Sequence, residues 1–110
     1  MDKQYAIKMH RELWTWLSKN PEKDKWNWLR WKSHGGTIDS VNANCFCCQY
    51  ASDINSGCSA CPLIWPGGRC DHDDDTGLYN LYMIAGADGD MKLRSKLAYE
   101  IANLPENKDA

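Results

Sequence analysis

All six cysteines of this 110-residue chain fall between positions 45 and 72, and four of them form two Cys-x-x-Cys motifs, Cys45-Phe46-Cys47-Cys48 and Cys58-Ser59-Ala60-Cys61. The same stretch is rich in Gly, Pro, Ser and Asn and poor in aliphatic side chains, too little apolar surface to hold a fold without a cross-link. The cross-link is either disulfide or metal. The N-terminal residues Met1-Asp2-Lys3-Gln4-Tyr5-Ala6-Ile7-Lys8 offer no apolar signal-peptide core, so the expected location is the cytoplasm, where thiols stay reduced. Metal is therefore the expected cross-link.

Zinc takes four tetrahedral ligands, and a Cys-x-x-Cys turn offers two thiolates to one side of the ion. Nine residues separate Cys48 from Cys58, a short but feasible return that contains Gly57. The spacing thus points to one Zn²⁺ per chain held by Cys45, Cys48, Cys58 and Cys61. A closed four-thiolate shell leaves no place for water or substrate, so the ion is expected to be structural. Cys70 and His72 are alternative ligands, each able to replace one of the four. Cys47 is left over, which predicts that Cys47→Ser is tolerated while serine at 45, 48, 58 or 61 costs metal. A disulfide framework, two separate metals and an iron–sulfur cluster on the same thiolates stay open as minor alternatives. A redox dithiol is less favoured, because that motif normally opens a helix after a strand and Pro62 suits a metal knuckle better.

Around this lobe the apolar pattern is helical. In residues 2–18, Tyr5, Met9, Leu13, Trp16 and Leu17 recur at spacings of three and four. Asn20, taking a left-handed conformation, and Pro21 are expected to end that helix. Residues 22–31 fit neither helical nor alternating period and read as a short helix or turns, broken by His34-Gly35-Gly36; 37–44 read as an extended or irregular approach. The apolar run at 78–85 reads equally well as helix or strand. Asp88-Gly89-Asp90 offers an N-cap to a closing helix whose face carries Leu93, Leu97, Ile101 and Leu104, and 106–110 reads as a frayed tail. The expected fold is a small α+β or mainly α single domain over 1–110. Two amphipathic helices, within 1–20 and 89–104, flank a loop-rich, four-cysteine zinc-knuckle lobe at 45–72.

A net charge of −2 and a pI near 5.8 argue against a chain devoted to non-specific phosphate binding. No apolar run approaches the length of a bilayer span, so no membrane partner is expected. Six tryptophans against one phenylalanine suit half-buried positions and interfaces. Trp26, Trp28, Arg30 and Trp31 are the candidate partner-binding residues: they fit a protein-binding hot spot, and with Lys25 and Lys32 they fit a stacking platform for single-stranded nucleic acid. The plainer reading makes at least one of these rings core. Asp71-His72-Asp73-Asp74-Asp75 reads chiefly as an exposed acidic turn. With His34 it forms the basis of a third reading, a metal-dependent hydrolase in which His34 pairs with Asp39 or His72. His10 sits beside the apolar stripe and is expected to be packed or solvated.

The order His10-Arg11-Glu12-Leu13-Trp14-Thr15-Trp16-Leu17, Asn20-Pro21, Gly35-Gly36, Asn44-Cys45-Phe46-Cys47-Cys48-Gln49-Tyr50 and Cys58-Ser59-Ala60-Cys61-Pro62-Leu63 resembles small cysteine-rich, zinc-knuckle-like proteins of bacteriophages and prophages of Gram-positive bacteria. The similarity spans most of 10–105. In that pattern the first knuckle is Cys-Phe-x-Cys, which makes Cys47 the extra thiol, and Cys70 fits it as well. The resemblance implies a non-enzymatic phage accessory protein in the host cytoplasm. Its implied task is to bind a host protein and inhibit it, with antiviral defence systems among the targets. A nucleic-acid or nucleotide-binding zinc module and a metal-dependent hydrolase are the alternatives.

Overall fold

The computed structural model describes residues 1–41, 44–54, 61–66 and 77–109. They form a small, compact, mainly helical body with four α-helices: α1 (Lys3–Lys19), α2 (Phe46–Asp53), α3 (Leu78–Ala87) and α4 (Met91–Ala102). Among the described residues there is no strand, only isolated bridges at Trp31 with Ile38 and at Leu63 with Glu106. The α+β option is thereby set aside for these residues, and 78–85 is helix.

α1 is the central element, packed against α4 on one side and α2 on another. Asp2 caps it, its carboxylate accepting the Tyr5 N–H at 3.0 Å. The buried face is Ala6, Ile7, Met9, His10, Leu13, Trp14 and Leu17, rotated from the expected stripe. Tyr5 is exposed and Trp16 only half-buried, because two neighbouring helices widen the covered face toward Ala6 and His10. The helix ends at Asn20, but with φ −135° and not in the left-handed region. The Asn20 backbone N–H donates to the Leu17 carbonyl and its side-chain amide to the Trp16 carbonyl at 2.9 Å, which satisfies the last turn without a φ reversal.

Residues 22–41 are turns, with single 3₁₀ turns at Lys25–Asn27 and Lys32–His34. Lys32 N–H donates to the Ile38 carbonyl and Ile38 N–H to the Arg30 carbonyl, closing the loop around Gly35 and Gly36. Gly35 has φ +89°, and a side chain at Gly36 would overlap the Arg30 carbonyl. The glycine pair is thus required by a tight return. It brings Trp28 and Trp31 inward, where the Trp31 ring stacks on Phe46 of α2 with centroids 5.5 Å apart.

At the other end, Asp90 caps α4 by accepting the Leu93 N–H. The face turned inward is Arg94, Leu97, Ala98, Ile101 and Ala102, while Leu93, expected in the core, is exposed. The place on that turn is taken by Arg94. Its guanidinium pairs with Asp24 at 2.8 Å, donates to the Pro21 and Lys23 carbonyls, reaches the Tyr82 carbonyl, and lies 4.2 Å from the Tyr82 ring centroid. One side chain thereby ties α4, α3 and the turn after α1 together.

Nor do residues 105–107 fray after α4. Ile64 N–H donates to the Pro105 carbonyl and Asn107 N–H to the Pro62 carbonyl. The Asn107 side-chain amide reaches the Cys61 carbonyl at 3.2 Å, and Lys3 of α1 holds Asn107 and Glu106. Residues 105–107 therefore clamp 61–64 against the N-terminal end of α1, which places Cys61.

Removing a buried charge partner leaves the other groups unpaired and typically costs about 3–5 kcal/mol. Arg94→Met is expected to lower the urea unfolding free energy by about that much, and Arg94→Lys to recover only a minor part, since one ammonium cannot serve carboxylate and carbonyls together. A loss under about 1 kcal/mol for Arg94→Met contradicts this role.

Candidate thiol and imidazole centre

The first Cys-x-x-Cys motif opens α2, although no strand precedes it among the described residues. Asn44 enters the turn at φ +52°, a conformation asparagine tolerates better than most side chains. Cys45 then takes the N-cap position, and its sulfur accepts the Cys48 N–H at 3.4 Å. Cys47 falls one turn inside, with only 2% of its surface exposed, packed on the core. The Cys45 thiol is held well below the usual thiol value by hydrogen bonds from the Cys47 and Cys48 thiols, with the helix-opening N–H adding to them and burial opposing.

Cys61 arrives from the clamped segment. The polar groups near its sulfur, first the Cys47 thiol and then the Leu63 N–H and the Trp65 indole, lower its pKa to about 7 against the effect of burial. The Trp65 Nε1 is buried and has no hydrogen-bond partner among the described residues. Cys47, bonded to both Cys45 and Cys61 and buried, is pushed far up and remains a neutral thiol. The four described cysteines carry no disulfide.

The centre is completed from α1. His10 is buried, its Nε2 2.9 Å from the Ile101 carbonyl and its Nδ1 3.7 Å from the Cys47 sulfur. A carbonyl can only accept, so Nε2 carries the hydrogen and Nδ1 presents a lone pair to Cys47. Burial pulls the His10 pKa below its usual 6.5, against the pull of the Ile101 carbonyl in the other direction.

Of the ligand set read from spacing, Cys45, Cys48 and Cys61 are thus brought to one region, and Cys58 lies outside the described residues, as do Cys70, His72 and the acidic run at 71–75. Among the described residues, no three His, Cys, Asp or Glu side chains stand placed to hold a metal ion. Cys47, the thiol the spacing leaves over, sits between Cys45 and Cys61. Its only signal in the sequence is that position 47 falls on the inner side of a helix the apolar pattern does not predict. His10 is packed, the first of its two expected placements, but nothing in its local pattern links α1 to a cysteine 37 positions away.

The candidate partner residues divide. Trp28 and Trp31 are 3% and 2% exposed, core side chains in contact with each other and with Phe46. Their rings are not available to a partner, and of the three-ring stacking platform only Trp26 remains outside, at 51% exposure. Leu29, at 66%, and Arg30 are exposed as well, with Arg30 paired to Glu12. His34 does not meet Asp39: its Nε2 bonds the Trp26 carbonyl at 2.7 Å, and Asp39 pairs with Lys32 at 2.8 Å.

No protein-family model, curated protein or solved structure matches this chain. Among the described residues no helix is long and apolar enough to cross a membrane.

The state of His10 gives a direct check. The unfolded chain takes up a proton near pH 6.5, but the buried ring does so only at lower pH, so stability falls as pH drops below 6.5. Long-range ¹⁵N–¹H spectra at pH 6.5, where a free imidazole is half protonated, are expected to show His10 mostly neutral with hydrogen on Nε2. A ring more than half doubly protonated at that pH contradicts the assignment.

Proposed function

We propose that the chain is a non-enzymatic binding module whose cysteine lobe, residues 45–72 between the terminal helices, is locked by one structural zinc ion. The observation that carries this reading is that the thiols of two distant segments, Cys45 and Cys61, both neighbour Cys47, with the Cys48 N–H directed at the Cys45 sulfur. Hydrogen bonds of that kind stabilise thiolates, the form zinc binds. The donor types suit a soft cation: Cys45, Cys48 and Cys61 are thiols that do not by themselves form a metal-holding group among the described residues, and Cys58 is the fourth ligand that the paired spacing supplies. Zinc would contribute a rigid tetrahedral cross-link there, and a closed shell of four protein ligands leaves it no position for a substrate.

The partner is a protein. Support for this comes from the exposed Trp26 and Leu29 beside Arg30, since aromatic and arginine side chains dominate protein-binding hot spots. The resemblance seen in the sequence places that partner in a phage-infected bacterium, and an antiviral defence enzyme, inhibited by binding, is the first target class to examine. Nucleic-acid binding is disfavoured because two of its three candidate rings are interior.

Structural zinc binds small domains with an apparent free energy of about 10–16 kcal/mol, as large as the roughly 5–15 kcal/mol of a typical whole domain. Treatment with a strong zinc chelator is therefore expected to abolish the α2 helical signal and shift the fluorescence of the buried tryptophans, with recovery on adding zinc. Identical melting curves with and without chelator contradict the proposal. For the partner face, Trp26→Ala with Leu29→Ser is expected to leave the melting curve unchanged and to weaken capture of a purified defence-enzyme target at least tenfold; unchanged capture rejects this face.

A further inference from the structure

The sequence disfavours a redox role for the Cys-x-x-Cys motifs partly because a redox dithiol normally opens a helix after a strand. In the folded chain the first motif does open a helix: Cys45 is the N-cap of α2, and Cys48 stands three residues on in the first turn. No strand precedes it among the described residues, but thiol exchange needs only the helical turn that sets the two sulfurs side by side. We infer that Cys45 and Cys48 form a reversible thiol–disulfide couple, one that exchanges with small disulfides of the glutathione type and, when closed, withdraws two of the four sulfurs assigned to zinc. The couple stands on the geometry of the two thiols; its effect on the metal rests on the structural-zinc reading.

Three observations carry it. First, positions three apart in a helical turn have Cα atoms about 5 Å apart, inside the span of roughly 4.4–6.8 Å that a disulfide bridges. The bond can therefore close with α2 in place. Second, the Cys45 backbone is extended, at φ −127° and ψ 110°, and its side chain folds back over the turn, so that its sulfur accepts the Cys48 N–H at 3.4 Å. The Cys48 sulfur belongs to the same residue as that N–H, and rotation about the Cys48 Cα–Cβ bond among its staggered positions swings it toward Cys45. Third, Cys45 and Cys48 are both partly exposed, whereas Cys47 between them is 2% exposed and faces His10 Nδ1 at 3.7 Å. A dissolved disulfide thus reaches the outer pair and not the inner thiol.

The exchange balances in two steps. One sulfur of the pair attacks a sulfur of the small disulfide; that S–S bond breaks, one small thiolate leaves, and a mixed disulfide forms on the chain. The second sulfur of the pair then attacks the chain sulfur of the mixed disulfide, which closes the Cys45–Cys48 bond and expels the other half as thiolate. The two protons of the chain thiols pass to the leaving thiolates, and two electrons pass from the pair to the small disulfide. An excess of small thiol reverses both steps. Zinc is held by thiolates, so a closed pair offers it two ligands fewer and the ion leaves on oxidation.

The test equilibrates the purified full chain, without added chelator, in reduced and oxidised glutathione at stepped ratios. Samples are quenched in acid, alkylated and mapped by fragment-ion mass spectrometry, while a chromophoric indicator reads released zinc. In excess oxidised glutathione the expected product is an intramolecular Cys45–Cys48 bond that also forms in Cys47→Ser, reopens in reduced glutathione and is accompanied by at least tenfold weaker zinc binding. Cys48→Ser is expected to stop at a glutathione adduct on Cys45. A Cys45–Cys48 bond in a chain that carries no zinc upholds the couple and rejects the zinc reading. Zinc retained with both thiols reduced at every ratio overturns the inference and leaves the zinc reading intact. Glutathione adducts with no intramolecular bond, or a bond from either cysteine to a different cysteine of the chain, overturn it as well.

Discussion

One imidazole in the middle of α1 organises this protein. An unpaired buried polar group costs a few kcal/mol, so His10 is tolerable in the interior only if both ring nitrogens are met. Ile101 of α4 meets one and Cys47 of α2 lies against the other. The requirement sets the rotation of α1 between its two neighbours. It also explains why the covered face of α1 is centred on Ala6, His10 and Trp14, with Tyr5 left outside.

The cysteine region is then built onto that axis from both chain ends. Cys45 and Cys47 arrive on the first turn of α2, oriented by the Asn44 turn and by the Trp31 and Phe46 stack behind them. Cys61 arrives on a segment held by Pro105 and Asn107, which Lys3 in turn ties to α1. A thiol cluster assembled from such distant positions has little local sequence to stabilise it, and a metal ion would supply the missing cross-link. Arg94 does comparable work at the opposite end, replacing apolar burial with hydrogen bonds to the Pro21 and Lys23 carbonyls.

The two long helices are legible in the sequence, because α1 and α4 carry caps and three-and-four spacing that neighbouring elements do not alter. Which side faces inward is less so. Leu93 yields its place to Arg94, since the carbonyls of Pro21 and Lys23 need a donor more than the core needs one further leucine. Trp28 and Trp31 carry no helical or alternating period, and only the Gly35 and Gly36 return shows why they turn inward. The tail at 106–110 reads as frayed because the partners of Asn107 are backbone groups of 61 and 62, which leave no mark in side-chain pattern. Motif spacing names Cys45, Cys48 and Cys61 as neighbours, and the fold brings them to one region, yet spacing assigns Cys47 no role. Its contact with His10 comes from α1 and is invisible to spacing within the cysteine stretch.

The central claim is that these thiols hold a metal and are not paired with one another. Native and denaturing mass spectrometry of the same gently purified chain tests this most directly. The account predicts a native mass higher by one zinc ion less two displaced protons, and a denatured mass that shows all six cysteines reduced. A native chain free of metal, or a denatured mass reduced by the hydrogens lost to disulfides, would contradict it.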